Sequence, residues 1–413
     1  MIKFLKQLTK KSVGLRKLVR FLIYCIRSLR YFVYYLSGRT QPNLVLFESY
    51  MGRAYACSPK ALYEAMLRDN AYSSFKFIWA FRDCEKYDFL KKNPNTKVIK
   101  YMSADYLRAY SRAKYWISNS RIPEQIRKRQ DQIYVQTWHG TPLKRLGYDV
   151  ELDGGNAMNT LDELRKKYFY DARRYTYMLS PSAFCSEKLT SAFNLKNIHD
   201  SDVILEMGYP RNDFLFRYSE EDIKRVKNTL GLPQGKKVIL YAPTWRDNQH
   251  ETAVGYTYEL KTDFELLRRE LESEYVILFR AHYFIANSFN FEFFKGFVYN
   301  VSDYDDINEL YIISDILVTD YSSVFFDYAN LKRPMIFYMY DLEDYKNHLR
   351  DFYIDIKALP GEIVKTEHQL IDAIRRANSD FIYDGKYKDF NRKYNYLDGP
   401  DISERVIKKI VAI

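Results

Sequence analysis

A histidine stands directly after an apolar run in the segment IYVQTWHGTPLKRLG, residues 133–147. The alternation of Ile133 and Val135 indicates a strand, so we expect His139 at its carboxyl end, where open α/β sheets bind ligands. Because histidine exchanges protons near neutral pH, this position suits a general acid or base. The alternative is a buried histidine that only hydrogen-bonds a loop. The glycine, threonine, proline and cations that follow favour a site.

Four further predicted strands end in polar clusters, and the carboxyl ends of parallel strands can face one cleft. Helix capping is the alternative interpretation for the paired serines, because serine is common at helix starts. It does not account for the Trp-His and Arg-x-His pairs, since neither is usual at a helix start. The candidate residues in the five clusters are Trp138, His139, Gly140 and Thr141; Arg211; Thr244, Trp245 and Arg246; Arg280 and His282; and Ser322 and Ser323.

These residue types fit chemistry on a phosphate group. Ser322 and Ser323 at a helix start offer hydroxyls and backbone N–H groups to an anion. The guanidinium groups can neutralise a diphosphate and the charge that develops during phosphoryl transfer. Those guanidinium groups belong to Arg211, Arg246 and Arg280.

Three other side chains complete this hypothesis. His139 is placed to deprotonate an attacking alcohol, and His282 to stabilise or protonate the leaving phosphate. Asp327 lies one helical turn beyond Ser323 and is placed to accept hydrogen bonds from donor hydroxyls. An ordinary exposed helical carboxylate is the alternative for Asp327.

Strand and helix patterns alternate along most of the chain, which predicts an α/β fold with parallel sheets. A chain of 413 residues is longer than a single hydrophobic core usually accommodates, so more than one domain is expected. Strands are predicted at 44–47, 75–80, 97–101, 115–118, 133–136, 178–180 and 203–207, and then at 237–241, 275–279, 297–301, 316–318 and 335–338. The predicted divisions are an N-terminal segment (1–38), two βα domains (39–215 and 216–380) and closing helices (381–413).

The N-terminal segment, residues 1–38, carries nine Lys/Arg among many apolar residues and no Asp or Glu. Its longest uncharged stretches, 21–26 and 31–38, are far below the roughly 20 residues that span a bilayer. The pattern predicts a basic amphipathic helix on an anionic membrane surface. Packing on the protein's own body is the alternative. The high apolar content argues against a nucleic-acid-binding arm.

The net charge of +11 favours acidic partners such as phosphorylated substrates or anionic membranes. Four widely spaced cysteines argue against a zinc site or a disulfide framework, and fit a reducing cytosol. We expect no metal site and no cofactor, with dependence on magnesium left open.

Five motifs together resemble the signature of the CDP-glycerol glycerophosphotransferase family, the bacterial teichoic acid primases and polymerases. They keep their order across roughly residues 43–345. The motifs are QTWHGTPLK at 136–144, GYPRND at 208–213, YAPTWR at 241–246, RAH at 280–282 and TDYSSVFFD at 319–327.

The resemblance implies a GT-B fold, in which two Rossmann-like domains face each other across a cleft: an acceptor-side domain first, then a nucleotide-donor domain. It also implies a peripheral protein on the cytoplasmic membrane face that transfers glycerol phosphate from CDP-glycerol to a lipid-linked saccharide or polyol-phosphate acceptor, releasing CMP. His139 and His282 match the family's essential histidines. The donor-binding positions are matched by Thr244, Trp245, Arg280, Ser322, Ser323 and Asp327, and less closely by Arg211.

One departure is Ala281, where many relatives have proline. A chain of this length also looks like a single-module member, which puts processive polymerisation in doubt. A transferase using CDP-ribitol would share the motifs. The remaining alternatives are a GT-B glycosyltransferase using a nucleotide sugar and a non-enzymatic membrane adaptor.

Overall fold

The computed structural model describes residues 13–151, 160–244, 250–251, 255–256, 262–281, 291–342 and 352–411. Two parallel β-sheets carry the described chain, and each sheet has apolar clusters on both faces. The first sheet holds β1 (Gln41–Glu48), β2 (Lys76–Phe81), β3 (Thr96–Lys100), β4 (Ala113–Ser118), β5 (Ile133–Gln136), β6 (Tyr177–Ser180) and β7 (Ile204–Glu206).

The second sheet follows later in the chain, and a separate two-stranded hairpin lies apart from it. The hairpin consists of β9 (His250–Glu251) and β10 (Gly255–Tyr256). The strands of the second sheet are β8 (Lys237–Ala242), β11 (Tyr275–Phe279), β12 (Val298–Asn300), β13 (Ile316–Thr319), β14 (Met335–Tyr338) and β15 (Glu362–Val364).

Both sheets have the doubly wound strand order. The orders are β3-β2-β1-β4-β5-β6-β7 and β12-β11-β8-β13-β14-β15. The winding direction therefore reverses between β1 and β4 in the first sheet, and between β8 and β13 in the second. Such reversal points open a crevice at the carboxyl ends of the strands, which is where ligands bind in folds of this kind.

The central strands are apolar on both faces because helices cover both sides of each sheet. In β1, Leu44 and Leu46 pack into one cluster, while Val45 and Phe47 pack into the cluster on the opposite face. This period of two is the geometry of a strand. The register places Phe47 beside Trp79 of β2 and Ile117 of β4, so the reversal point is rigidly packed just before the chain leaves the sheet.

Helices connect the strands, and many begin after a Ser, Thr or Asp whose side chain accepts a first-turn N–H. A short 3₁₀ helix, Pro210–Asp213, follows β7. The helices are α1 (Val13–Ser37), α2 (Cys57–Arg68), α3 (Ala104–Arg112), α4 (Leu161–Ala172), α5 (Ala183–Ala192), α6 (Phe214–Arg217), α7 (Glu220–Thr229), α8 (Phe264–Leu271), α9 (Ile307–Ile313), α10 (Val324–Tyr328), α11 (Glu367–Ser379), α12 (Gly385–Tyr394) and α13 (Ile402–Val411).

The N-terminal helix α1 is attached to the first domain along one side. Tyr31 is buried, and its hydroxyl donates to the Arg127 carbonyl at 2.6 Å. The opposite face is exposed and carries apolar side chains at helical spacing. Within the described residues, no helix combines the length and the apolar character needed to cross a bilayer. The exposed apolar residues on this face are Leu18, Leu22, Ile26, Leu29, Val33 and Leu36.

The last helix, α13, returns to the first sheet. Ile402, Val406 and Ile410 pack in the cluster that contains β1 side chains. Asp213 caps the start of this helix, because its carboxylate accepts the N–H groups of Ile402 at 3.0 Å and Ser403 at 2.8 Å. The described chain therefore crosses from the first sheet to the second and back again.

Candidate active site between the two domains

The polar strand ends of both sheets meet at a cavity of about 110 Å³. Tyr50 and His139 reach it from the first sheet, and Arg280 and Ser323 from the second. It lies beside the points at which the two sheets reverse their winding. Five of the residues predicted from the sequence line this cavity: His139, Arg211, Arg280, Ser323 and Asp327.

The turn after β5 aims His139 at the cavity. Trp138 has a left-handed backbone, with φ of 52°, and its N–H donates to the Gln136 side chain at 3.0 Å. The Trp138 ring is buried in the first domain, with its centroid 5.1 Å from that of Phe193. The buried ring anchors the turn, and the predicted contact of Trp138 with substrate stays a prediction. The anchored turn leaves the next side chain, His139, open to the cleft.

His139 is held as a base. Its Nδ1 lies 2.8 Å from the backbone carbonyl of Asn119. A carbonyl only accepts, so Nδ1 carries the proton in the neutral ring and Nε2 is the free acceptor. Burial lowers the pKa of the imidazole from 6.5 to about 4, against the raising effect of the Asn119 bond, and Arg211 lowers it further. Water in the open cleft moderates the shift, and its direction leaves His139 neutral at neutral pH.

Gly140 lets the two domains approach closely. A Cβ atom built on Gly140 would lie 2.8 Å from the Ser323 Oγ, which is closer than real Cβ atoms come. Ser323 stands just before α10, while Ser322 accepts the Val324 N–H at 3.5 Å. Gly140 of the first domain and Ser323 of the second are therefore in direct apposition.

Arg211 and Asp327 form a buried ion pair across the domains. Arg211 donates from Nε to the Asp327 Oδ2 at 3.1 Å, and from Nη2 to the Oδ1 at 2.8 Å. The side chain of Asn212 donates to the same Oδ1 at 3.0 Å. Both charged groups were predicted to act on substrate, Arg211 on phosphate and Asp327 on hydroxyls. The structure directs them toward each other, because pairing offsets the cost of burying two charges.

Arg280 lines the cavity and also holds the loop after β12. Its Nη1 donates to the carbonyls of Val301 at 3.1 Å and Tyr304 at 2.7 Å. Burial lowers the pKa of this guanidinium, so the side chain would gain from an anion in the cavity. The predicted role of Arg280 at a phosphate is compatible with this position.

Asp320 joins two of the motifs in the second domain. Its Oδ1 accepts the N–H groups of Thr244, at 2.7 Å, and Tyr321, at 2.5 Å. Thr244 therefore sits where the loops after β8 and β13 meet, at the reversal point of the second sheet. Thr141 is buried in the first domain and is not part of the cavity wall. Three other predicted residues, His282, Trp245 and Arg246, lie outside the described residues.

The cavity also contains residues that the sequence prediction did not select. The Tyr50 ring meets the His139 ring edge-on, with centroids 6.0 Å apart. Asn308 donates from its side chain to the Arg211 carbonyl, and so links α9 to the loop that carries the buried arginine. Tyr50 follows β1 directly, so the strand-end rule would have selected it. For Asn308 the sequence offers no comparable signal, since it lies in the first turn of α9.

The cavity brings together the neutral imidazole of His139, the hydroxyl of Ser323 and the partly desolvated guanidinium of Arg280. It can accept a proton from an alcohol and stabilise a phosphate at the same point. No group of three or more His, Cys, Asp or Glu suited to a metal ion occurs in the described part of the chain.

Two Rossmann-like domains with such a site between them define a GT-B-like transferase. The chain belongs to the CDP-glycerol:poly(glycerophosphate) glycerophosphotransferase family, whose model matches residues 30–412.

Named relatives and a solved structure agree with this assignment. The chain is 42% identical over 369 residues to the teichoic acid poly(glycerol phosphate) polymerase of Bacillus subtilis, covering 89% of this chain but only 48% of that protein. It is 39% identical to the teichoic acid glycerol-phosphate transferase of Staphylococcus aureus, covering 96% of this chain and 98% of that one. The chain thus spans about half of the first relative and nearly all of the second.

A similar solved structure is that of the wall teichoic acid polymerase TagF, in a variant soaked with CDPG. It superposes with a TM-score of 0.82 at 35% identity, over 97% of both chains.

Proposed function

We propose that this protein transfers glycerol phosphate from CDP-glycerol to a hydroxyl of a membrane-linked acceptor during synthesis of teichoic acid or a related surface polymer, releasing CMP. The family assignment and the glycerol-phosphate names of both relatives support the donor. The observation that carries the chemistry is the 2.8 Å contact between the His139 Nδ1 and the Asn119 carbonyl, because it assigns the proton to Nδ1 and leaves Nε2 as a proton acceptor.

The reaction is a substitution at phosphorus. The acceptor hydroxyl oxygen attacks the β-phosphorus of the donor and forms a new P–O bond. The bond between the β-phosphorus and the oxygen that bridges to the α-phosphorus breaks, and CMP leaves with that oxygen. The hydroxyl proton passes to the His139 Nε2.

The charges around the cavity fit this substitution. Arg280 faces the space in which phosphate charge would develop, and the Ser323 hydroxyl approaches the same space from the second domain. Preorganised donors of this kind stabilise the transition state more than they stabilise the bound substrate. His282 remains our candidate for the group that stabilises or protonates the leaving phosphate. Trp245 and Arg246 remain candidates for donor binding.

We further propose that the protein acts at the cytoplasmic face of the membrane. The exposed apolar face of α1 supports this, since such a stripe has no partner within the described chain and suits the interfacial region of a bilayer. The net charge of +11 adds attraction to anionic lipids.

The test of donor and reaction is nucleotide release by the purified full chain. The arms contain CDP-glycerol, CDP-ribitol or a UDP-sugar, each with and without a lipid-linked acceptor. We expect acceptor-dependent CMP release with CDP-glycerol and the appearance of glycerol phosphate on the acceptor. If CMP is released in an acceptor-dependent way from CDP-ribitol and not from CDP-glycerol, the transferred group is ribitol phosphate. Release of UDP with sugar transfer would replace this proposal with a glycosyltransferase.

A further inference from the structure

A second cavity of about 460 Å³ opens in the first domain, beside the candidate active site. It lies at the carboxyl ends of β1 to β4, where the loops after these strands form its wall. Helix α1 contributes Arg27 to the rim and α4 contributes Lys167. This cavity is therefore walled by the reversal point of the first sheet and by the helix that carries the exposed apolar face.

The lining is strongly cationic. Five of its side chains are basic and two are acidic. One acid and one base already pair with each other, because Asp171 accepts hydrogen bonds from Arg174 at 2.6 Å and from the Tyr175 hydroxyl at 2.8 Å, which leaves four cations and one acid. The basic side chains are those of Arg27, Arg82, Arg121, Lys167 and Arg174.

Two of the arginines are preoriented. Arg82 donates from Nε to the Met51 carbonyl at 2.9 Å, and its guanidinium lies 5.0 Å from the centroid of the Tyr101 ring. The Arg121 guanidinium likewise lies 5.1 Å from the centroid of the Tyr168 ring. A guanidinium held beside a ring loses less freedom when it binds, and its planar fork matches phosphate oxygens.

Buried donors without a partner line the same cavity. Gln125 and Arg174 are less than one-tenth exposed. The Gln125 Nε2 and the Arg174 Nε find no hydrogen-bond acceptor among the described residues. Buried polar groups of native proteins are nearly always satisfied, so these donors indicate an acceptor-rich ligand.

The cavity shares its inner wall with the active site. Met51 lines this cavity and the preceding residue, Tyr50, lines the other. The Asn119 side chain accepts the Tyr50 N–H at 2.8 Å, and the Asn119 carbonyl is the group that holds His139. The two cavities are thus neighbours on either side of the Tyr50–Met51 segment, and Asn119 contacts the base as well as this segment.

We propose that this cavity binds phosphate groups of the anionic acceptor while the acceptor's terminal hydroxyl reaches His139. The inference rests on the proposed function and on the acceptor-side role expected of the first domain, and it assigns the acceptor's phosphates to this cavity and to Arg82 and Arg121. Phosphate esters are rich in hydrogen-bond acceptors and match both the buried donors and the cationic lining. The lipid-anchored end of the acceptor leaves past Arg27, on α1, whose opposite face is the exposed apolar stripe.

The test uses the full chain and the double variant Arg82→Gln/Arg121→Gln, with Arg27→Gln as a second variant on the exposed rim. The control is Arg68→Gln/Arg269→Gln, which removes the same charge from exposed sites outside the cavity. Binding of a fluorescent glycerol-phosphate oligomer is measured by anisotropy without donor. KM for acceptor and for CDP-glycerol is then measured by CMP release in neutral detergent.

We expect the double variant to raise the oligomer Kd and the acceptor KM at least about tenfold, since each lost charge-assisted contact costs that much. The KM for CDP-glycerol and both constants of the control should not change. An unchanged oligomer Kd would overturn the assignment.

A parallel assay measures binding to phosphatidylglycerol vesicles. If the double variant loses vesicle binding but keeps the oligomer Kd, the cavity serves a lipid headgroup and the proposal is wrong. If the wild type binds the oligomer through these arginines but releases no CMP from CDP-glycerol, the proposed function fails while the acceptor site stands.

Discussion

At the scale of single residues, the site depends on close contacts that a few substitutions should disturb selectively. Gly140→Ala adds a methyl group 2.8 Å from the Ser323 Oγ. We expect stability to fall by only about 1 kcal/mol, because a hydroxyl can rotate away. Activity should fall roughly tenfold to a hundredfold, since the two domains are then misaligned at the reacting centre.

The measurements for this variant are thermal unfolding and CMP release, with Gly399→Ala as the control. A Cβ at Gly399 would meet no atom within 4 Å. Equal activity of Gly140→Ala and the wild type would show that the close approach of Gly140 to Ser323 has no part in catalysis.

The ion pair between Arg211 and Asp327 gives a second residue-scale prediction. Asp327→Ala leaves a buried guanidinium without its partner, so we expect a loss of about 3–5 kcal/mol in the free energy of unfolding. Replacing both, as Arg211→Met/Asp327→Leu, should cost clearly less than the sum of the single changes Arg211→Met and Asp327→Leu. Urea unfolding of the four proteins in this cycle measures the coupling. Additive losses would mean that the pair does not connect the domains energetically.

At the scale of elements, α1 has one face on the protein and one face without a partner in the described chain. We expect Leu22→Glu/Leu29→Glu to weaken binding to anionic vesicles by roughly 100-fold, because each leucine contributes about 1.5–3 kcal/mol when buried in apolar surroundings. The side chains are 50% and 67% exposed, so the fold should be kept.

Vesicle flotation provides the measurement for α1. Phe293→Glu is a suitable control, because this side chain is 82% exposed in the second domain. If the double variant floats with the vesicles as the wild type does, α1 is not the membrane contact.

Strands were easier to predict from the sequence than some of the helices. The uninterrupted apolar runs of β1 and β11 could be placed because burial on both faces leaves a continuous apolar pattern. Helix α4 had no predicted counterpart, and α12 was covered only by the closing helices predicted over 381–413. In α12 only three buried positions, Tyr387, Phe390 and Tyr394, stand among charged residues, so the apolar period is weak.

At the scale of the whole molecule, the position of the site followed from a general rule, and its internal contacts did not. His139 and Ser323 could be selected because each ends a parallel strand. The pairing of Arg211 with Asp327 could not be anticipated, since 116 residues separate them and only the packing of the two domains brings them together. The buried Trp138 side chain was equally hidden, because a left-handed backbone at that position is set by the fold.

The proposed reaction depends on His139 accepting the proton of the acceptor hydroxyl. The most direct test is the pH dependence of kcat/KM for CMP release, together with His139→Asn and the exposed control His368→Asn. Desolvation by the surrounding protein lowers the pKa of His139 below 6.5, although water in the open cleft moderates the shift, so the free base persists as pH falls below 6.5 and is lost only on approach to the lowered pKa.

We therefore predict an acid limb clearly below pH 6.5 in the wild type and in His368→Asn. His139→Asn should fold normally and lose at least about 100-fold in rate. A folded His139→Asn variant that releases CMP at the wild-type rate, with the same pH profile, would contradict the claim.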